Sequence, residues 1–305
     1  MPERNELALI DWIRRRASSA PGLQVGIGDD AAVWQVGGQQ LLLATDVLME
    51  DVDFRVSETS ATLIGRKAMA VNLSDIAAMA GRPLAALVGV ALPKSRGFEF
   101  ARELLEGLQS LADEFGVAII GGDTNTWVGP LVVSVTLIGE ATEHGPVCRS
   151  GAKPGDWLFV TGPLGGSILG KHLTFTPRVR EALELHHAVD LHAMIDLSDG
   201  LSTDLQHLLD ESGVGATLFA DLIPVSDAAR QLTDGRTPLE HALGDGEDFE
   251  LLFAVSADDG RKLVAGECSI SARHIGVIET AAGGWLRESD GSIRPLARTG
   301  WEHSF

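Results

Sequence analysis

Residues 61–80 read ATLIGRKAMAVNLSDIAAMA and decide much of the predicted architecture. Alanine and larger aliphatic residues dominate the stretch, which predicts a long helix buried in the protein. Asp75 is the only charged residue between Lys67 and Arg82. Because it follows Val71 by four residues, a helix places it at the edge of an apolar face. A lone carboxylate there is unfavourable unless a capping role, an arginine or a cation compensates it, and the helix alone leaves these alternatives open.

Further aspartates stand beside small or polar residues at the ends of apolar runs. The segments are Gly-Ile-Gly-Asp-Asp at 26–30, Thr-Asp at 45–46, Gly-Gly-Asp-Thr at 121–124 and Ile-Asp-Leu-Ser-Asp-Gly at 195–200. Converging carboxylates are held ionised by a compensating charge, and a divalent cation supplies it. The chain is therefore predicted to hold magnesium around a polyphosphate. Taken singly, Asp123 also fits a turn, and Asp196, Ser198 or Asp199 fits a helix cap.

The composition limits the partners of the chain. A formal net charge of −19 disfavours nucleic acid, which is bound by clusters of Lys and Arg, and it also disfavours anionic membranes. The longest apolar run, residues 84–92, is too short to span a bilayer, and the N-terminus does not resemble a signal peptide. Cys148 and Cys268 form neither a disulfide framework nor a zinc site. We therefore expect a cytoplasmic enzyme.

Apolar and amphipathic segments alternate along the chain, which predicts a mixed α/β (α+β) architecture. Helices are predicted over 6–16, 61–80, 98–114 and 201–211. Strands are predicted over 40–45, 84–92, 117–120, 131–138, 157–160, 249–255 and 273–278, with Gly-Gly-Asp-Thr as a turn. The length of 305 residues favours two domains. A segment rich in Gly and Pro at 144–155 predicts the boundary between residues 1–145 and 146–305.

Two glycine-rich stretches match nucleotide-binding loops only in part. Residues 165–172 nearly match a P-loop, but His172 stands where a hydroxyl group must reach magnesium. This stretch is more simply interpreted as the start of a helix. Residues 26–31 fit a loose dinucleotide fingerprint, but two acids would repel a pyrophosphate in the absence of metal. Neither motif alone predicts a nucleotide site.

The ordered set of motifs resembles the bacterial thiamine-monophosphate kinase family, within the wider group of aminoimidazole ribonucleotide synthetase-like proteins. The resemblance runs from about residue 9 to 305 and includes AVNLSDIAAM, RSGAKPGD and GEDFEL together with the acidic segments. It implies an N-terminal domain whose exposed sheet pairs with a second copy in a homodimer. It also implies a C-terminal α/β domain that closes over the active-site cleft. The implied substrates are ATP and thiamine monophosphate, with several Mg²⁺ ions as cofactors.

The resemblance assigns roles to individual residues. The implied magnesium ligands are Asp30, Thr45, Asp46, Asp75, Asp123, Asp196 and Asp199. The implied catalytic acids are Asp30, Asp46, Asp75, Asp123 and Asp196. The implied nucleotide contacts are Gly122, Asp123, Arg149 and Ser198. The implied substrate contacts are Asp53, Glu247 and Trp301, of which Asp53 replaces the usual His and Trp301 the usual Tyr.

These residues suggest catalysis by neutralisation of charge. A phosphate monoester is largely ionised at neutral pH, since its second pKa is about 6, and it needs no general base to attack a γ-phosphoryl group. Metal ions with Arg149, and with Lys153 nearby, would lower the repulsion between two polyanions. The predicted reaction is ATP-dependent phosphorylation of thiamine monophosphate to thiamine diphosphate by direct transfer. A related kinase or synthetase with another small acceptor, or a non-catalytic nucleotide-binding paralogue, is the alternative.

Overall fold

The computed structural model describes residues 6–301, and two β-sheets with flanking helices account for most of them. The strands of the first sheet are β1 (Leu23–Val25), β2 (Ala32–Val36), β3 (Gln39–Met49), β4 (Arg82–Pro93), β5 (Ala118–Trp127) and β6 (Val132–Glu140). Their order is β1-β2-β3-β6-β4-β5. Strand β5 pairs in parallel with β4 and forms one edge of this sheet.

Three helices accompany the first sheet. They are α1 (Glu6–Arg14), α2 (Ala61–Ala78) and α3 (Gly97–Glu114). Helix α2 is buried around most of its circumference, as its apolar sequence predicts. It packs closely on α3, because a Cβ atom at Gly65 would lie 1.9 Å from the carbonyl oxygen of Leu104 and one at Gly107 would lie 1.9 Å from that of Thr62. The two glycines therefore permit this close contact.

The two faces of the first sheet differ. Val33, Leu42 and Val135 point toward the helices and are fully buried. On the opposite face, Val47 and Leu87 are exposed. This second face combines apolar side chains with solvent exposure, and we call it the outer face.

The second sheet lies in the C-terminal half. Its strands are β7 (Trp157–Val160), β8 (Leu191–Asp196), β9 (Gly215–Phe219), β10 (Leu251–Val255), β11 (Arg273–Glu279), β12 (Gly283–Arg287) and β13 (Ile293–Pro295). Their order is β13-β12-β9-β11-β7-β10-β8. The helices are α4 (Lys171–Thr174), α5 (Val179–Ala188), α6 (Leu201–Ser212), α7 (Asp227–Gln231), α8 (Pro238–Gly244) and α9 (Ala257–Val264).

Helix α2 lies between the two sheets. It contacts β3 and β6 on one side, and β8, α4 and α5 on the other. Its buried side chains belong to one apolar core with Phe159 and Phe253 of the second sheet. The central position of α2 places Asp75 where both sheets can contribute neighbours to it.

The mixed α/β class and most predicted segments are confirmed, but one local prediction is wrong. Gly-Gly-Asp-Thr at 121–124 is part of β5 and not a turn. A Cβ atom at Gly122 would lie 1.9 Å from the carbonyl oxygen of Val88, so the glycine permits a close approach of β5 to β4. The proposed boundary between residues 145 and 146 stays a prediction. Over residues 6–301, none of the helices combines the length and hydrophobicity needed to cross a membrane.

Candidate active site

Three aspartates from distant parts of the sequence converge beside α2. Asp75 lies on α2, Asp196 ends β8, and Asp30 lies between β1 and β2. One carboxylate oxygen from each of the three lies within 4.8 Å of the others. Asp46 of β3 joins them, because its carboxyl group shares a hydrogen bond with that of Asp75. We call Asp30, Asp46, Asp75 and Asp196 the acidic cluster.

The electrostatics of the acidic cluster show that its negative charges are under-compensated. Burial, together with the charges of neighbouring aspartates, raises the pKa of Asp75 well above its ordinary value. Burial is also the main cause that raises the pKa of Asp46 to about 6 and that of Asp196 to about 7. Ser74 donates a 2.6 Å hydrogen bond to Asp196, which opposes this shift only in part. The carboxyl groups of the acidic cluster would therefore release protons when a cation binds between them.

Arg149 supplies a positive charge beside the acidic cluster. Its guanidinium group donates a 2.6 Å hydrogen bond to Asp30, and its backbone N–H lies 3.2 Å from the carboxylate of Asp29. At this point of the site, Oδ2 of Asp30 and Nε of Arg149 are buried and have no hydrogen-bond partner among the described residues. An unpaired carboxylate oxygen is available to bind a metal ion, and an unpaired guanidinium N–H is available to donate a hydrogen bond to an anionic oxygen. The residues present thus fit a divalent cation with a phosphate group.

A cavity of about 560 Å³ opens beside the acidic cluster, between segments of both sheets. The predicted site residues in its wall are Asp46, Asp53, Asp75, Asp196, Ser198, Asp199, Glu247 and Trp301. The fold therefore brings most of the predicted site residues together here. Lys67, Arg236, Asp245 and Phe249 also line the cavity and were not predicted. The sequence feature that could have identified Lys67 as a functional residue is its charge within the mostly apolar sequence of α2.

Thr45 and Asp123 lie apart from the cavity. The hydroxyl group of Thr45 hydrogen-bonds to the carbonyl oxygen of Val135 and the hydroxyl group of Thr136, so its side chain is on the outer face. Asp123 is exposed on the edge strand β5. Across the sheet, Asp46 of β3 pairs with Val135 of β6, Val135 pairs with Val88 of β4, and Val88 pairs with Gly122 of β5. Gly122 therefore shares the face of Asp46, which points toward α2. Because side chains alternate along a strand, the next residue, Asp123, points to the outer face.

The helix-capping alternative for residues 196–199 is not supported. Helix α6 begins at Leu201, and it is the carboxylate of Asp204 that accepts hydrogen bonds from the N–H groups of Asp199 and Gly200, at 3.1 and 2.9 Å. The carbonyl oxygen of Ser198 accepts a 2.6 Å hydrogen bond from the N–H of Glu247. Asp196 lies in the acidic cluster instead. Residues 196–199 therefore form a wall of the cavity.

The P-loop alternative for residues 165–172 is not supported either. Lys171 donates a 2.8 Å hydrogen bond to Glu250, which also accepts two hydrogen bonds from Arg178, at 2.8 and 2.9 Å. Burial alone would raise the pKa of Glu250, but Arg178 and Lys171 bring it below its ordinary value. The N–H of Gly165 is bound by Asp248 at 2.8 Å. The lysine and the glycine amide thus stabilise the C-terminal sheet.

The fold and the acidic cleft define a class of two-domain α/β proteins. Residues 28–141 match the AIR synthase related protein, N-terminal domain, and residues 161–284 match the C-terminal domain of the same group. The chain is 43% identical to a thiamine-monophosphate kinase of Rhodopirellula baltica, over 98% of this chain and 97% of that relative. The chain belongs to the thiamine-monophosphate kinase family.

Solved structures of related proteins agree over the whole fold. The structure of AaThiL complexed with AMPPCP and TMP is similar with a TM-score of 0.87 and 29% identity, over 100% of this chain and 98% of that one. Thiamine-monophosphate kinase from Stenotrophomonas maltophilia gives a TM-score of 0.74 and 35% identity, over 96% and 98% of the two chains. The similarity therefore includes both halves of the cleft.

Proposed function

We propose that this chain phosphorylates thiamine monophosphate to thiamine diphosphate, with ATP as the phosphoryl donor. The observation that carries the proposal is the cleft itself, which joins the acidic cluster and Arg149 to a cavity with Glu247 and Trp301 in its wall. The similarity to a family member complexed with an ATP analogue and TMP supports both substrates. Membership of the kinase family disfavours a non-catalytic paralogue.

The acidic cluster is proposed to hold magnesium. Asp30, Asp75 and Asp196 each offer a carboxylate oxygen within 4.8 Å of the others, and Asp46 adjoins them. Hard oxygen ligands of this kind suit Mg²⁺ bound together with phosphate groups. Magnesium, when bound there, would neutralise phosphate oxygens and stabilise the charge on the transferring phosphoryl group. Asp199 lies in the same cavity wall and is proposed as a further ligand.

The protein contributes orientation and charge to a direct transfer. Arg149 is fixed by Asp30, and its unpaired Nε–H is available to an anionic oxygen. Histidine is absent from the described lining of the cavity. A general base is not required, because the acceptor phosphate is largely a dianion at neutral pH. Arg149 is therefore proposed to orient a phosphate group for the transfer.

The acceptor is proposed to bind between Asp53, Glu247 and Trp301. All three line the cavity, and Trp301 exposes 58% of its surface. Thiamine carries a positive thiazolium ring, which carboxylates and an aromatic face attract. One oxygen of Asp53 accepts a 2.7 Å hydrogen bond from the N–H of Met49. This bond orients the carboxylate, whose remaining lone pairs can accept hydrogen bonds from the pyrimidine amine.

A second cavity is proposed to receive the adenine of ATP. It has a volume of about 670 Å³ and lies between α3 and the strands β4 and β5. Its wall includes Leu105, Thr124 and Thr126, of which the threonines follow Gly122 and Asp123 along β5. An apolar groove with a few hydroxyl groups suits a purine base. Leu105→Trp should therefore raise the KM for ATP, and an unchanged KM would contradict this placement.

Homodimer formation is proposed because one chain cannot bring Asp123 to the acidic cluster. Three strand spacings separate the backbones at Asp46 and Gly122, which amounts to about 14 Å. Asp123 also points to the other face of the sheet. The outer face carries the exposed apolar residues Val47 and Leu87, which a second copy would cover. Asp123 of the partner subunit would then complete the nucleotide site, with Thr45, whose hydroxyl group lies on the outer face, as a further ligand.

Mixed dimers test the shared site. Asp46→Asn and Asp123→Asn should each abolish turnover, and co-expression with different tags gives dimers that contain one chain of each kind. In such a dimer, one of the two sites combines wild-type Asp46 with wild-type Asp123. Purified mixed dimers should therefore have roughly half of the wild-type activity, and the unfractionated mixture formed by random pairing roughly a quarter. No restoration in purified mixed dimers would contradict a site shared between subunits.

A panel of acceptors tests the proposed reaction. With Mg²⁺ and ATP present, ADP should be released when thiamine monophosphate is added, and not with thiamine or with an unrelated phosphate monoester. Release of ADP with a different acceptor alone would favour the related kinase or synthetase. Absence of thiamine monophosphate binding by calorimetry, even with Mg²⁺ and a non-hydrolysable ATP analogue, would refute the assignment of the acceptor.

A further inference from the structure

Lys67 is a fully buried lysine at the wall of the active-site cavity. It lies on α2, and only 1% of its surface is exposed. Its ammonium group donates a 2.7 Å hydrogen bond to the backbone carbonyl oxygen of Asp53 and forms a salt bridge with the carboxylate of Glu247. Burial of an ammonium group is costly unless it is paired, and both partners here are residues of the proposed acceptor site.

The two partners of Lys67 belong to different halves of the molecule. Asp53 follows β3 of the first sheet, whereas Glu247 precedes β10 of the second. The backbone of Glu247 has φ = 53° and that of Phe249 has φ = 48°, in the left-handed region that residues with side chains rarely adopt. Such strain persists only where surrounding bonds impose it. The N–H groups of Glu247 and Phe249 are held by the carbonyl oxygens of Ser198 and Leu197, and Lys67 holds the side chain.

We propose that Lys67 is a positioning residue that sets the acceptor specificity of the cleft. This inference rests on the proposed function. The ammonium group of Lys67 holds the carboxylate of Glu247 and the turn at Asp53 in the orientation that receives the cationic substrate. It acts on the acceptor through these two residues, and it is no part of the acidic cluster.

The charges around Glu247 explain why the acceptor alone should be affected. Asp53 also lines the cavity, and Asp245 is already paired there with Arg236 at 2.8 Å. Removal of the ammonium group therefore leaves Glu247 beside like charges without the cation that compensates it. Its carboxylate would then turn toward solvent, since one third of its side chain is already exposed. ATP is proposed to bind through the acidic cluster and Arg149, which the change does not touch. The KM for the acceptor should therefore rise without a matching rise in the KM for ATP.

Lys67→Met, which keeps the length of the side chain and removes its charge, tests the proposal by steady-state kinetics. We expect the KM for thiamine monophosphate to rise by about tenfold to a hundredfold, with less than a threefold change in the KM for ATP. Lys171→Met is the matched control, because Lys171 also pairs with a buried carboxylate but does not line the cavity. Its KM for the acceptor should stay within about threefold of the wild type.

A double variant separates positioning from a general loss of structure. If Lys67 acts through Glu247, then adding Lys67→Met to Glu247→Gln should raise the KM for the acceptor by less than about threefold. The double variant also lacks a buried unpaired charge, so it remains measurable if Lys67→Met alone does not fold. An equal rise of the KM for the acceptor and the KM for ATP in Lys67→Met would overturn the proposal. So would a double variant in which Lys67→Met raises the KM for the acceptor as much as it does in the wild-type protein. Failure of the wild type to phosphorylate thiamine monophosphate would instead refute the proposed function.

Discussion

Asp75→Asn should make the metal-free protein more stable while abolishing catalysis. An oxygen of Asp75 lies within 4.8 Å of one from Asp30 and one from Asp196. Two ionised carboxylates at that separation repel each other by about 3.5 kcal/mol if the effective dielectric constant is about 20. The raised pKa of Asp75 means that protonation already relieves part of this repulsion. We therefore expect the free energy of unfolding to increase by about 1–2 kcal/mol, with the amide still able to donate to Asp46.

Urea unfolding in EDTA and in Mg²⁺ measures the predicted changes in stability, and a turnover assay measures the predicted loss of catalysis. The wild type should be stabilised by Mg²⁺, because an ion that binds only the folded state shifts the equilibrium toward it. The Asn variant should lose most of that stabilisation, and its turnover should fall by at least about a thousandfold. Asp113→Asn is the control, since this exposed carboxylate on α3 should change stability by less than about 0.5 kcal/mol.

Two results would refute the reasoning. A decrease in the stability of the metal-free Asn variant would show that Asp75 makes favourable contacts that outweigh repulsion within the acidic cluster. Turnover close to that of the wild type at limiting Mg²⁺ would show that Asp75 holds no metal that is needed for transfer.

Three further predictions concern the acceptor site and the C-terminal sheet. Asp53→Ala should weaken binding of thiamine monophosphate by about 1–3 kcal/mol and spare ATP, and equal losses in calorimetric titrations of both ligands would contradict this. Lys171→Ala should lower kcat by less than about tenfold, because Lys171 binds Glu250, and a loss of several orders of magnitude would restore the P-loop interpretation. Since the pKa of Glu250 is depressed below 4.5, its charge stabilises the fold above that pH, and this contribution is lost as the pH falls through the folded-state pKa. The stability difference between wild type and Glu250→Gln in urea should therefore shrink below about pH 4.5, and a constant difference would contradict the pairing.

The sequence predicted the central helix and most of the acidic site because local composition carries both signals. An apolar stretch with one internal carboxylate defines α2, and Asp75 does lie in a cluster of acids. Asp46 and Asp196 follow apolar runs in the sequence. Asp196 ends β8, and strand ends are where a sheet presents polar side chains to a cleft, whereas Asp46 lies within β3. These features depend on neighbours in the sequence, so they can be predicted without a structure.

Features that depend on strand pairing could not be predicted in the same way. Gly-Gly-Asp-Thr has the composition of a turn, but pairing with β4 makes it an edge strand, which outweighs the low strand propensity of these residues. The face on which Asp123 lies follows from register across four strands, which the sequence does not display. Lys67 was missed because its partners, Asp53 and Glu247, come from two different parts of the chain.

Transfer of a labelled γ-phosphoryl group tests the central claim most directly. The wild type is mixed with Mg²⁺, thiamine monophosphate and ATP labelled in its γ-phosphoryl group, and the products are separated after one turnover. Direct transfer predicts that the label appears in thiamine diphosphate, in equal amount with ADP, and that it does not appear on the protein. Label in inorganic phosphate, label on the protein, or ADP formed equally well without thiamine monophosphate would contradict direct transfer in this cleft.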